Sequence, residues 1–182
     1  FATRHTFIWV NHKRMGKISL GQTNPAANGR SETTFSGTNM INTSGGYSYG
    51  SGLLFIDTTT AGTPSTSAVS IGSATSNLDG LSRTDVLRYD TPRFGGLALA
   101  GSVLDSRTWD IGADYLATMG GLQIRVQAQH NHSHAASTAV SVTSSMSLAG
   151  LHDSGVNGSF SYGDLSLTGP TSAARGSDGQ FW

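Results

Sequence analysis

The chain of 182 residues contains no cysteine, only four prolines, and few charged residues (12%). Without thiols it forms no disulfides and no thiolate metal sites, and a cysteine nucleophile is excluded. Its 11 basic residues balance 11 acidic ones, so there is no net charge to attract nucleic acid. A soluble domain of this length usually carries more charge. The composition therefore favours neither a nucleic-acid partner nor an ordinary soluble surface.

Long apolar runs are also absent. No segment approaches the roughly 20 consecutive apolar residues that a membrane-spanning helix needs, so any crossing must be made by strands. What the chain does contain is alternation with a period of two, most clearly over 122–130. In an extended strand such alternation separates an apolar face from a polar one. Here Leu122, Ile124, Val126 and Ala128 share one face, and Gln123, Arg125, Gln127 and Gln129 share the other.

The same pattern recurs along the chain between short glycine-containing turns and longer polar loops. It predicts a first hairpin over 4–22 and further strands over 82–165, about eight strands in all. Between them, 23–81 is rich in Ser, Thr, Gly and Asn and reads as one long loop, while 166–182 reads as a loop or a truncated end. A loop this long is usually functional or disordered.

These strands predict an all-β protein in which an antiparallel sheet crosses a membrane and its polar rows line a water-filled lumen. A β-sandwich is the alternative, because its strands alternate as well and would bury the apolar rows against a second sheet. Uncharged Gln, Ser and Gly interleave the charges of the polar rows, as in a lumen wall. The side chains expected to face the lumen are Asp110, Asp114, Gln123, Arg125 and Gln127.

One segment resembles a known family. Residues 83–97 contain the run Arg88-Tyr89-Asp90-Thr91-Pro92 followed by Phe94-Gly95-Gly96. This segment is similar to the strand-turn-strand signature of Gram-negative general diffusion porins. Residues 4–10 with 15–22 look like the preceding hairpin of that family, and 155–160 resemble a later one. Together these segments span most of 4–165.

The resemblance implies an outer-membrane barrel of 16 antiparallel strands that associates into a homotrimer. The present chain would then be a fragment holding about eight of those strands. In such porins the third external loop folds inward, and 23–81 occupies its place. The implied function is passive, size-limited diffusion of small hydrophilic solutes and ions across the outer membrane, with lipid around the barrel and no cofactor.

The resemblance also implies a constriction in which loop carboxylates oppose arginines of the wall. Arg4 and Arg83 match the wall arginines by position, and Arg88 is a third candidate because its parity places it inward. The loop lacks the family's Pro-Glu-Phe run, and between Thr23 and Asn77 its only acidic residues are Glu32 and Asp57. We therefore leave open a pore that is nearly neutral or weakly anion-preferring.

Alternating histidines form a possible metal site. His130, His132 and His134 would share one face of a strand, at a spacing compatible with a divalent metal. No carboxylate lies nearby in the sequence, and neutral surface imidazoles are the commoner outcome. We predict no metal here.

A second constellation has the residue types of a hydrolase. His152, Asp153 and Ser154 are adjacent, whereas a catalytic triad is assembled from separate elements so that the base reaches both partners. Turn hydrogen bonding explains them better, and we predict no enzymatic activity. Two rival functions remain: a surface adhesin or passenger-type binding domain without a pore, and, ranked far lower, an outer-membrane hydrolase.

Overall fold

A computed structural model describes residues 3–37, 50–57, 65–74, 78–104, 107–134, 140–168 and 179–181. At 57, 65–68, 73–74, 167–168 and 179–181 it describes the backbone alone. The chain forms two compact units. The first comprises Phe1–Phe35 and Leu78–Trp182, and the second comprises Ser36–Asn77.

The first unit is a single antiparallel sheet of nine strands. Eight of them have at least seven residues, and the ninth, at one edge, has three. In spatial order its strands are β1 Thr6–His12, β2 Gly16–Thr23, β5 Thr84–Asp90, β6 Leu97–Val103, β7 Trp109–Met119, β8 Leu122–His134, β9 Val140–His152, β10 Asn157–Thr168 and β11 Gly179–Phe181. Within this unit, strands that follow one another along the chain are neighbours in the sheet. No pairing between β1 and β11 is present in the described residues, and the sheet is therefore open there.

Four short turns lie at one end of the sheet, as the glycine-containing links predict. The tightest joins β7 to β8, where Met119 pairs directly with Leu122. The two residues between them, Gly120 and Gly121, have φ values of +55° and +80°. A two-residue hairpin loop with φ > 0 at both positions matches the right-handed twist of its strands, and glycine adopts it without steric cost.

One face of the sheet is apolar and exposed; we call it the apolar face. The predicted alternation is confirmed in β7, where Trp109, Ile111 and Tyr115 are exposed while the intervening Asp110 and Asp114 are buried. Soluble proteins rarely expose contiguous apolar surface of this extent. Large exposed side chains of this face include Ile8, Val10, Ile18, Leu20, Leu87, Tyr89, Leu97, Leu99, Val103, Trp109, Ile111, Tyr115, Met146, Leu148, Phe160 and Tyr162.

The opposite face, which we call the polar face, is the covered one. Direct partners in antiparallel strands point to the same side, so the pairs Ser19–Arg88, Arg88–Ser102, Ser102–Asp110 and Asp110–Asn131 extend one polar row across five strands. This pattern of burial is the reverse of that in a soluble protein. Buried polar residues of this face are Ser19, Ser102, Asp110, Asp114, Gln127, Gln129, Asn131, Thr143, Ser145 and Ser147.

The all-β antiparallel prediction is confirmed, and the strands are longer than the sequence indicated at two places. β8 continues to His134, beyond the clear alternation over 122–130, and β10 reaches Thr168, beyond the expected boundary at 165. No helix in the described part of the chain is long and apolar enough to cross a bilayer.

The second unit falls within the predicted long loop and contains regular structure. Strands β3 (Leu54–Asp57) and β4 (Ser65–Ser70) form an antiparallel hairpin, and one helical turn follows at Ile71–Ala74. The backbone N–H of Ile71 donates to the carbonyl oxygen of Leu53 at 2.9 Å. The segment 23–81 is therefore not irregular throughout.

Candidate functional site

The two ends of the long loop lie on the polar face. We call residues 24–35 the entry limb and residues 78–81 the exit limb. Ala26 and Ala27 are fully buried. They are covered by the polar face of the sheet, which we also call the wall, and their backbone is hydrogen-bonded to it. The limbs and the wall together form the candidate site.

Asp110 on β7 binds the backbone of the entry limb. One carboxylate oxygen accepts from the N–H of Ala26 at 3.2 Å, and the other accepts from the N–H of Ala27 at 2.9 Å. Ser102, its direct partner on β6, accepts from the same Ala26 N–H at 3.0 Å and donates its hydroxyl proton to Asp110. Hydrogen bonds to a charged acceptor are about twice as strong as neutral ones. This pair therefore fixes the start of the entry limb on the wall.

Arg88 holds the limb from the neighbouring strand. Its Nη1 donates to the carbonyl oxygens of Asn24 and Pro25, each at 3.0 Å. Its other nitrogens bind the carboxylate of Asp90, with an Nη2–Oδ1 distance of 2.6 Å. A guanidinium has donors in a fixed fork, so one side chain bridges a wall carboxylate and two loop carbonyls.

Arg30 is a buried cation supplied by the loop itself. Its Nε donates to the carbonyl oxygen of Ala26 at 2.6 Å, and its own carbonyl oxygen accepts from the Ser147 hydroxyl at 2.8 Å. Burial lowers the pKa of Arg30, and the nearby Arg88 lowers it further, while Asp114 and Asp90 oppose that change. An arginine remains charged under such shifts, so the limb carries a permanent positive charge against the wall.

The exit limb is bound to both the wall and the entry limb. The carbonyl oxygen of Leu78 accepts from Gln129 Nε2 at 2.8 Å, and Asp79 accepts from the backbone N–H of Gly29 at 2.6 Å. Burial raises the pKa of Asp79 to about 6, and the nearby Glu32 carboxylate adds to this, although hydrogen bonds from Gly29 and Ser31 oppose it. The carboxyl group of Asp79 therefore titrates in a physiological range.

A second charged cluster surrounds Asp114, farther along the polar face. Arg125 Nη2 lies 2.6 Å from Asp114 Oδ2, Gln127 Nε2 donates to the same oxygen at 3.0 Å, and Arg93 Nη2 lies 3.3 Å from Oδ1. The two arginine side chains are about two-fifths exposed, whereas the aspartate side chain is buried (41%, 39% and 10%). The cluster thus presents cationic groups to water above a covered carboxylate.

Arg88, a predicted basic residue of the constriction, lies on the polar face and binds the entry limb. Four of the residues expected to face the lumen lie on the same face: Asp110, Asp114, Arg125 and Gln127. Asp110 binds the entry limb, whereas the other three form the cluster around Asp114. Gln123 is on the same face, opposite Leu151.

The remaining predicted residues lie elsewhere. Arg4 precedes β1 and Arg83 precedes β5, and both are exposed outside the strand ladder. Glu32 belongs to the entry limb, close enough to Asp79 to influence its pKa. Asp57 is in β3 of the second unit, and its side chain lies outside the described residues.

Sequence reasoning missed several charged residues of the site. Arg30 and Asp79 lie in the loop limbs, while Asp90 and Arg93 flank the turn between β5 and β6. The one sequence signal for Arg30 and Asp79 is that charged residues are rare in the long polar loop 23–81. Asp90 and Arg93 lay within the motif that resembles porins.

The histidines of β8 share a face, as their alternation predicts, and it is the apolar face. Trp109 stacks on His132 with ring centroids 5.8 Å apart and also contacts His130 at 5.5 Å. His130 Nδ1 lies 2.8 Å from the hydroxyl of Ser144. Across the residues that the structure covers, no three potential metal ligands converge on one point.

His152 and Ser154 engage each other within the turn between β9 and β10. His152 Nδ1 lies 2.9 Å from the Ser154 hydroxyl and 3.2 Å from its backbone N. The backbone N–H of Asp153 donates instead to Gly121 across the neighbouring hairpin, at 2.9 Å. These contacts are those of a local turn.

Comparison with known proteins leaves the family open. No protein-family model, curated protein or solved structure matches the chain. The features of the molecule that bear on function are the two faces of the sheet and the loop limbs.

Proposed function

We propose that the chain forms part of the wall of an outer-membrane diffusion pore of a Gram-negative bacterium. The observation that carries this is the inverted burial: large apolar side chains are exposed on one face, while the other face buries polar and charged groups. Lipid is the environment that stabilises such an apolar face, and water in a lumen suits the polar one. The pore passes small hydrophilic solutes and ions passively, with no cofactor and no catalysis.

The loop limbs supply the second element of the proposal. A loop bound to the polar face narrows the lumen that this face lines, which is how a diffusion pore acquires a size limit. The limbs are held by side chains of five strands: Arg88 of β5, Ser102 of β6, Asp110 of β7, Gln129 of β8 and Ser147 of β9. The constriction then consists of the limbs and the wall facing them.

The charges at this constriction are mixed, which favours weak ion selectivity. Arg88 is paired with Asp90, and Arg125 and Arg93 are paired with Asp114. On the loop side, Arg30 adds a cation beside the carboxyl groups of Glu32 and Asp79, whereas the porins that 83–97 resembles have carboxylates there. We therefore expect a nearly neutral or weakly anion-preferring pore.

The proposal requires further strands. An open sheet leaves unpaired backbone groups at β1 and β11, and hydrocarbon does not tolerate such edges. A barrel of 16 strands, assembled as a homotrimer in lipid, would close them, in line with the resemblance of 83–97 to porins.

Single-channel recording tests the proposal. The full-length protein, purified in detergent and added to planar lipid bilayers, should produce discrete ion-conducting steps with weak charge preference. Failure to conduct across repeated reconstitutions would refute a pore. If the protein were in addition freely soluble without detergent, the rival adhesin or passenger-type domain would be favoured.

A further inference from the structure

Two glycines of the polar face lie directly beneath the loop limbs. Gly112 in β7 is covered by the entry limb, and Gly163 in β10 is covered by the exit limb. Neither glycine is among those with positive φ, so any residue could adopt its backbone conformation. The reason for glycine at both positions is therefore space and not backbone freedom.

At Gly112 the space is filled by Arg30. A Cβ atom at this position would overlap Nε and Cδ of Arg30 and lie 2.8 Å from the carbonyl oxygen of Ala26. The Arg30 side chain has little room to withdraw, because Nε is bonded to that same carbonyl oxygen and the Arg30 backbone is bonded to Ser147. The Arg30 side chain and the Ala26 backbone of the entry limb therefore both pack directly against Gly112.

At Gly163 the space is filled by Leu78. A Cβ atom there would overlap Cδ1 of Leu78 and lie 3.2 Å from Cβ of Ser145. Leu78 is 4% exposed and has a φ of +50°, an uncommon conformation for a leucine. Its carbonyl oxygen is bonded to Gln129, so the backbone of the exit limb is held as closely as its side chain.

We infer that Gly112 and Gly163 are the seats that set how closely the two loop limbs approach the wall, and thereby the solute size limit of the pore. This inference rests on the proposed pore function. A methyl group on either seat stands between limb and wall and displaces the limb into the lumen. A narrower lumen conducts less and excludes smaller solutes.

Glycine-to-alanine substitutions provide the test, because matched control glycines lie in or beside the same strands. Cβ atoms at Gly101 in β6 and Gly158 in β10 would meet nothing closer than 3.8 Å. In the full-length protein, Gly112→Ala and Gly163→Ala should lower single-channel conductance by roughly 1.5-fold or more, since the opening of such a pore is only a few side chains wide. Gly101→Ala and Gly158→Ala should conduct like the wild type.

A double variant guards against misfolding. Leu78→Ala removes the Cδ1 atom that collides with a Cβ at Gly163, so Leu78→Ala/Gly163→Ala should recover conductance relative to Gly163→Ala. The rate at which vesicles containing each variant swell in sugars of graded size should rank the variants in the same order as their conductance. Unchanged or increased conductance in both seat variants, or no recovery in the double variant, overturns the inference. A wild-type protein that produces no steps at all refutes the proposed function instead.

Discussion

The carboxylate of Asp110 accepts a hydrogen bond from the backbone N–H of Ala27 at 2.9 Å, although 83 positions separate the two residues in the chain. The aspartate is 1% exposed, and its other oxygen binds Ala26 and Ser102. A wall carboxylate therefore satisfies two consecutive N–H groups of the loop. The entry limb has no regular structure of its own to satisfy them.

Replacing Asp110 by Asn should loosen the entry limb. The amide retains one acceptor but loses the charge and aims an N–H₂ group at a backbone donor, which costs about 1–3 kcal/mol at a buried site. Hydrogen exchange should show faster exchange of the Ala26 and Ala27 amides. The exposed Asp85→Asn is the matched control and should leave both amides protected. Equal protection in the two variants would contradict the anchoring role of Asp110.

Acidification should tighten the contact between the two limbs. The pKa of Asp79 is raised from 3.8 to about 6 in the folded protein. Asp79 therefore binds a proton more strongly when the limbs are packed on the wall than when they are detached from it. The resulting stabilisation is fully present below pH 3.8 and is lost as pH rises through about 6. Protease cleavage within 24–35 should therefore be slower at pH 5 than at pH 7.5.

The Asp79→Asn variant checks the origin of that pH dependence. Asparagine keeps an acceptor for the Gly29 N–H but has no charge to desolvate, so the limbs should be stabilised at neutral pH by about 1–2 kcal/mol. Cleavage at pH 7.5 should slow and its dependence on pH should flatten. A variant cleaved faster at neutral pH would show that the ionised carboxylate is favourable there.

Arginine substitutions on neighbouring residues distinguish lipid from water. Phe160 lies on the apolar face and Ser159 on the polar face, and both are exposed. Phe160→Arg should destabilise the protein in bilayers by about 2–4 kcal/mol if it lies near the membrane centre, whereas Ser159→Arg should cost much less. Urea unfolding of the full-length protein in lipid vesicles measures both. Similar penalties at the two sites would favour a sheet buried on both sides.

Arg88 should influence ion preference. Arg88→Gln leaves the Asp90 carboxylate without its guanidinium partner and removes the donors to Asn24 and Pro25. The reversal potential in a salt gradient should move toward cation preference, by roughly twofold in permeability ratio. Arg107→Gln makes the same charge change at an exposed residue that contacts His134, and it should shift the potential less. An equal shift in both variants would mean that Arg88 has no special position.

Much of the fold was predictable because strand geometry is local. Successive side chains of a strand point to opposite faces whatever the strand is paired with, so the faces of 122–130 and of Trp109 to Tyr115 followed from residue order alone. The tight turn at Gly120 and Gly121 was predictable for another local reason, because glycine adopts the positive φ values that a two-residue hairpin loop requires. The continuation of β8 to His134 was missed, because Asn and His in succession resemble a polar loop until pairing with Val140 and Val142 is known.

The candidate site was predictable only in part. Parity placed Arg88, Asp110 and Asp114 on the polar face, but nothing local distinguishes a polar side chain that faces open water from one that binds a loop. The contribution of Arg30 was not foreseen, since its importance depends on an empty space above Gly112. From the sequence, a glycine within a strand indicates only a weak strand former. Its role becomes clear once the structure shows which residue fills the space that a side chain would take.

The sequence by itself determined that this chain forms two-faced antiparallel strands with tight glycine turns, because those properties depend on residues adjacent along the chain. The tertiary structure alone decided that the loop limbs lie on the polar face, that Asp110 and Arg88 bind their backbone, and that Gly112 and Gly163 lie beneath them. The hydrogen bonds among these contacts join residues 63 to 84 positions apart, and only the register of strand pairing brings such residues together.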